Sequence, residues 1–186
     1  MSEDPILLAT RRWIDKMVIG LGLCPFAEPS ISRAGFRMTL CTTSDLQVLC
    51  KALIDNLLFM QSDEGQQLDS LLLIHPHALN DFEQYNNFLA LCDQILADLS
   101  LVGEFQIASF HPQYRFEGNA ADDVGNYTNR SPYPMLHLLR ESSVARAVQE
   151  HSGTESIPEP NIRRLEALGK EALEAMLADC RRAQPD

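Results

Sequence analysis

Two apolar runs of this chain end in the same pair of residues: "LLIHPH" at residues 72–77 and "SFHPQYRF" at residues 109–116. An imidazole at a strand end can act as a base, hold a divalent metal or donate a hydrogen bond. A proline after it lacks a backbone N–H and so stops the strand ladder. His75 and His111 are therefore the first candidates for chemistry. If the two runs are parallel neighbours, both rings leave the sheet at its carboxyl edge, where open α/β sheets place ligands. Neighbouring strands lie about 4.8 Å apart, close enough for the rings to share a ligand or a metal. The alternative is that each His-Pro is only a strand stop whose ring bonds a nearby carbonyl.

The segment that follows His111, residues 112–131, is longer than the ~12–15 residues above which structureless connections become uncommon, so it is expected to be functional or disordered. Tyr114, Phe116, Tyr127 and Tyr133 anchor it against disorder, and Asn126, Asn129 and Arg130 offer directional hydrogen bonds. Ser131, Pro132 and Pro134 resemble a helix start, whose unpaired N–H groups would favour an anion with Arg130 and Arg140 as partners. On that helix His137 and Glu141 would share a face, as two metal ligands or as a base with its orienting carboxylate; the bland alternative is a surface pair. Together His75, His111, His137 and Glu141 would suit zinc or a similar divalent ion, with Asp122 or Asp123 able to replace some of them. Cys24 follows a helix end, which raises rather than lowers a thiol pKa, so it is expected beside the site rather than as its nucleophile. His77 and His151 are expected on the surface.

The elements that must position these groups follow from periodicity. Asp4-Pro5 starts a helix whose Leu7, Ile14, Met17, Val18 and Leu21 recur at helical spacing. "FRMTLCTT" reads as a strand, and Ser44 with Gln47 forms a capping box before a helix carrying Leu46, Leu49, Leu53 and Leu57. "SLLLI" is apolar without alternation, as in a strand covered on both faces. Asn80 caps a helix with a broad apolar face, and "FQIASF" is a third strand. Strand, helix, strand, helix, strand is the rhythm of parallel pairing. Two amphipathic helices complete the chain, "PMLHLLRESSVARAVQEH" and "NIRRLEALGKEALEAMLADC", the second broken at Gly169. The expected fold is a single α/β domain over residues 1–186, with a small, mainly parallel sheet of about three or four strands flanked by helices. A linker at 152–160 leads to a C-terminal helical segment, and the tail after 180 is expected to be mobile.

Composition narrows the function. A net charge of −11 opposes binding to nucleic acid or to an anionic membrane. No apolar run approaches the ~20 residues of a transmembrane helix, and "MSEDPILLATRRW" has no leader pattern, which points to the cytoplasm. The five cysteines contain no CxxC pair, so they are expected as reduced thiols, and the sequons at Asn126 and Asn129 as chance matches. No Gly-rich phosphate loop and no HExxH occurs.

The segments "WIDKMVIGLGLCPFA", "HPHALNDFEQYNNFL", "QIASFHPQYRF" and "NYTNRSPYPMLHLLRE" resemble DUF1415, a family of proteins of unknown function found mainly in proteobacteria. The resemblance implies a cytoplasmic bacterial protein and brings no reaction with it. Read from the residues, the leading expectation is an enzyme that acts on a small anionic substrate by acid–base or metal-assisted hydrolysis at a His/Asn/Arg cluster. The rivals are a metabolite-binding module without catalysis, and an interaction protein in which "NYTNRSPYP" is a hydrogen-bonded plug.

Overall fold

The Asp4 carboxylate accepts a hydrogen bond from the Ile6 N–H at 2.8 Å, and Pro5 stands where a missing N–H costs nothing, so the first helix begins as expected. The computed structural model describes residues 4–150 and 158–182. Helix α1 (Pro5–Trp13) continues without a break into a π-helical segment, Ile14–Ile19, and the chain then turns at Gly22, whose φ of 62° favours glycine. The wider π-turn has no signature in hydrophobic spacing. Then follow α2 (Ala27–Ser32), β1 (Phe36–Leu40), α3 (Leu46–Gln61), β2 (Ser70–Ile74), α4 (Phe82–Asp98) and β3 (Phe105–Phe110). Both central helices start one residue later than the capping patterns suggest. Asp45 rather than Ser44 caps α3, accepting from the Gln47 N–H at 2.8 Å, and Asp81 rather than Asn80 caps α4, accepting from the Gln84 N–H at 2.9 Å.

After a short 3₁₀ turn at Val124–Thr128, residues Met135–Arg140 form a strand, β4, and the chain passes directly into α5 (Glu141–Glu150). One long helix was expected across "PMLHLLRESSVARAVQEH". Strand β4 inserts between β2 and β3, antiparallel to both, and gives the sheet order β1-β2-β4-β3. The mixed α/β class therefore stands, but the sheet is mostly antiparallel, with β1 and β2 its one parallel pair. Strands β2 and β3 do point the same way. They are separated by β4, hence by roughly 10 Å, two interstrand spacings.

Alternation along β2 and β4 sorts the sheet's side chains onto two helical layers. Leu71, Leu73, Leu136 and Leu138 pack with Leu49, Leu53 and Leu57 of α3 and Tyr85, Phe88 and Cys92 of α4. Leu72, Ile74 and Met135 pack on the other face with Trp13, Ile14, Met17 and the C-terminal helices α6 (Pro158–Leu168) and α7 (Lys170–Arg181). Leu49, Leu53 and Leu57 are fully buried at helical spacing, and each contributes about 1.5–3 kcal/mol of transfer free energy. Gly169 separates α6 from α7 at a φ of 79°, the break its residue type suggested. Residues 151–157, most of the expected linker, and His151 with them lie outside the described residues, while Pro158–Leu168 is helical. Cys180 is fully buried near the end of α7. No helix among the described residues is long and apolar enough to cross a membrane.

Candidate functional site

His75 and His111 lie near enough for His111 to add to the lowering of the His75 pKa, yet each bonds a different carbonyl. The ring of Tyr85, from α4, stands between them, stacked on His75 at 5.9 Å between centroids and tilted against His111 at 5.0 Å. The Tyr85 hydroxyl donates to the Met135 carbonyl at 2.7 Å and accepts from the Phe110 N–H at 3.0 Å, which fixes the ring across β4 and β3. Each imidazole instead ties down the same turn. His75 Nδ1 donates to the Ala78 carbonyl and His111 Nε2 to the Leu79 carbonyl, both at 3.1 Å. A carbonyl only accepts, so each of these nitrogens carries the proton. Leu79 sits at a φ of 56°, a conformation disfavoured for a branched side chain by about 1–2 kcal/mol, and the paired imidazoles hold it there. The repeated His-Pro is thus two strand ends clamping one turn. His111 is also satisfied at Nδ1, which accepts from the Gln113 N–H at 3.0 Å. Burial pushes the His75 pKa down to about 4, and desolvation lowers that of His111.

The residues expected to bind an anion are spent on the backbone. Asn126 is fully buried. Its carbonyl oxygen accepts from the Phe116 N–H and the Asn119 amide, and its own amide donates to the Ala120 carbonyl. Asn129 donates to the Ser109 carbonyl, and Arg130 to the carbonyls of Tyr114 and Ala121 while lying over the Tyr127 ring at 4.5 Å. Arg140 donates to the carbonyls of Leu68, Met60 and Gly65. The 112–131 segment is ordered by these bonds, and the expected helix start at Ser131 is instead the approach to β4, so no ring of unpaired helix N–H groups faces it. Asp122, Asp123 and His77 are exposed, and the Asp123 carboxylate caps the 3₁₀ turn.

His137 and Glu141 share no helix, because His137 is in β4 and Glu141 opens α5. Alternation with Leu136 and Leu138 turns His137 to the opposite sheet face from His75 and His111. The expected ligand set is thereby divided between two faces. Among the described residues, no group of three or more His, Cys, Asp or Glu side chains comes together as a metal site would require.

His137 faces a cavity of about 350 Å³. The floor is one face of the sheet, where Phe36, Leu72, Ala108 and Phe110 surround the imidazole. Ala108 is the cross-strand partner of His137, and its short side chain leaves the space open. Trp13, Ile14 and Val18 close one side; the last two belong to the π-helical segment, a distortion that recurs at functional sites. Cys24, Phe26 and Ser30 form another wall. Two polar side chains of the lining are unpaired: His137 Nε2 and Ser30 Oγ are both buried without a hydrogen-bond partner. Desolvation alone lowers the His137 pKa to about 4, so the ring is neutral at physiological pH. Burial raises the Cys24 pKa, partly offset by the backbone N–H groups of Phe26 and Ala27, and the thiol stays protonated. Of the residues picked from sequence, Cys24 and His137 are the two that line this cavity. Arg33, Asp69 and Ser143 at its rim were missed, although "FQIASF" held a clue in the small Ala108 between Gln106 and Phe110 on one face.

No curated protein and no solved structure matches the chain. The model of the family described as protein of unknown function DUF1415 matches residues 6–175 of the 186, and the chain belongs to that family.

Proposed function

We propose that the protein is a binding module for a small, mainly apolar metabolite, held in the cavity over the sheet with the His137 imidazole as its polar anchor. The observation that carries this reading is a mainly apolar cavity of about 350 Å³ with the His137 imidazole in its lining, a ring whose Nε2 has no hydrogen-bond partner. Ligand sites combine these features: apolar walls for affinity and a few placed polar groups for orientation. At roughly the 30 Å³ that a water-sized group occupies, the space of about 350 Å³ takes about twelve non-hydrogen atoms. A neutral imidazole presents one donor and one acceptor, so it suits a hydroxyl or carbonyl on the ligand.

Hydrolysis of an anionic substrate fits less well. With a pKa near 4, His137 is a weak base at neutral pH, far from the match between pKa and working pH that proton transfer favours. His75 and His111, on the other face, have their ring protons committed to the turn.

Octanol, which has about the right volume, is expected to stabilise the protein. At ten times its Kd it adds about 1.4 kcal/mol, or roughly 3–6 °C in melting temperature for a chain of this size. Ala108→Trp fills the space in front of His137 and should remove the ligand-induced shift without lowering the melting temperature of the free protein by more than a few degrees. An equal octanol shift in the wild type and in Ala108→Trp, or none in the wild type, would contradict the reading.

A further inference from the structure

We infer that the natural ligand of this cavity is an amphipathic carboxylate, with its chain against Ala108 and His137 and its carboxylate in an arginine-lined basin at the cavity rim. This inference rests on the binding reading above. Arg33, Asp69 and Ser143 belong both to the rim of the apolar cavity and to an adjoining polar basin of about 420 Å³, which Arg140 and Arg146 complete. A molecule that fills the cavity therefore has an exit for a polar end among guanidinium groups.

The charges in the basin do not cancel. Arg33 and Arg146 both reach Asp69, at 3.5 and 2.7 Å, and Asp69 also accepts from the Ser143 hydroxyl at 2.7 Å. Arg140 has its own partner in Glu104, at 3.8 Å, besides the carbonyls it bonds. One carboxylate between two guanidiniums leaves one positive charge unmatched, in a chain of net charge −11. Asp69 is largely covered, with its side chain 16% exposed, whereas Arg33 and Arg146 are 49% and 50% exposed and accessible to a second anion. Each of them meets Asp69 through Nη2 alone, so the rest of each planar fork is available for a second oxygen acid. A monoanion neutralises the basin. A dianionic head overshoots it, an ammonium head adds to the excess positive charge, and a neutral head forms only ordinary hydrogen bonds.

Calorimetric titration of the full chain with octanoate, octanol and acetate at neutral pH tests this. Octanoate is expected to bind about tenfold more tightly than octanol, and acetate, which lacks the chain, far more weakly than either. In the Arg33→Gln/Arg146→Gln double variant the preference of octanoate over octanol should fall to about one. Both side chains are half exposed, so the variant should fold, and if it does not, the single Arg33→Gln variant provides the same comparison with a partial loss. If octanol binds as tightly as octanoate in the wild type, or the preference survives in the variants, the carboxylate inference is overturned while the cavity reading stands. If neither octanol nor octanoate binds, the cavity reading itself falls.

Discussion

Replacing Arg140 with methionine is expected to lower the free energy of unfolding by about 3–5 kcal/mol, as measured by urea denaturation. The side chain is 14% exposed and lies over the Phe105 ring at 4.9 Å. Its Nε donates to the Leu68 carbonyl at 3.1 Å and its Nη2 to those of Met60 and Gly65, at 2.6 and 3.2 Å. These three acceptors come from the end of α3 and from the loop leading into β2, so one guanidinium joins β4 to the connection between the two elements. Methionine fills much of the same volume but leaves the carbonyls without a donor, and each such loss costs about 1–3 kcal/mol. Lysine restores one bond at most and should recover only part of the loss. A loss below about 1 kcal/mol would show that water replaces the guanidinium freely and that Arg140 is not a structural tie.

Acid should weaken the fold well before its carboxylates titrate. The pKa values of His75 and His137 are each lowered from 6.5 to about 4 in the folded chain, in both cases chiefly by desolvation. Between those values the unfolded chain binds protons that the folded chain does not, so stability is complete above about pH 6.5 and falls as the pH drops towards 4. By pH 5 each of the two histidines accounts for about 2 kcal/mol, together a large part of a typical folding free energy. His137→Phe separates the two contributions. It removes a buried nitrogen that has no partner and keeps the ring shape, so at pH 7.5 the variant should match or exceed the wild type. Its loss of stability between pH 7.5 and 5 should be about half that of the wild type. An unchanged pH profile in His137→Phe, or a flat wild-type profile over that range, would show that water reaches these rings.

Much of the fold was legible where local rules act alone. Asp4-Pro5, the stripe of Leu49, Leu53 and Leu57, the doubly covered "SLLLI" strand and the break at Gly169 each follow from nearest-neighbour chemistry. Strand β4 was not legible for a physical reason. "MLHLLR" suits either period, and no glycine or proline separates it from α5, so neither pattern nor punctuation marks the change at Arg140 to Glu141. Its conformation is decided by the empty place between β2 and β3, a non-local fact.

The same strand divides the expected site residues. Strand β4 stands between β2 and β3, which carry His75 and His111 at their ends, and alternation sends His137 to the far face. Residue type alone also overstated Asn126, Asn129, Arg130 and Arg140. Their partners are main-chain carbonyls, which carry no mark in a sequence. The plug alternative for "NYTNRSPYP" describes the bonding of that segment better than an anion pocket does. What remains of the expected site is Cys24 and His137, joined by small and aromatic residues that only the sheet register brings together.

Histidine ring signals in nuclear magnetic resonance test the cavity reading most directly, because the two sheet faces carry different imidazoles. With histidine Cε1 labelled and octanol added to saturation, the His137 resonance should move while those of His75 and His111 hold still. Movement of His75 or His111 with His137 unchanged would contradict the account and return the site to the carboxyl edge of the sheet.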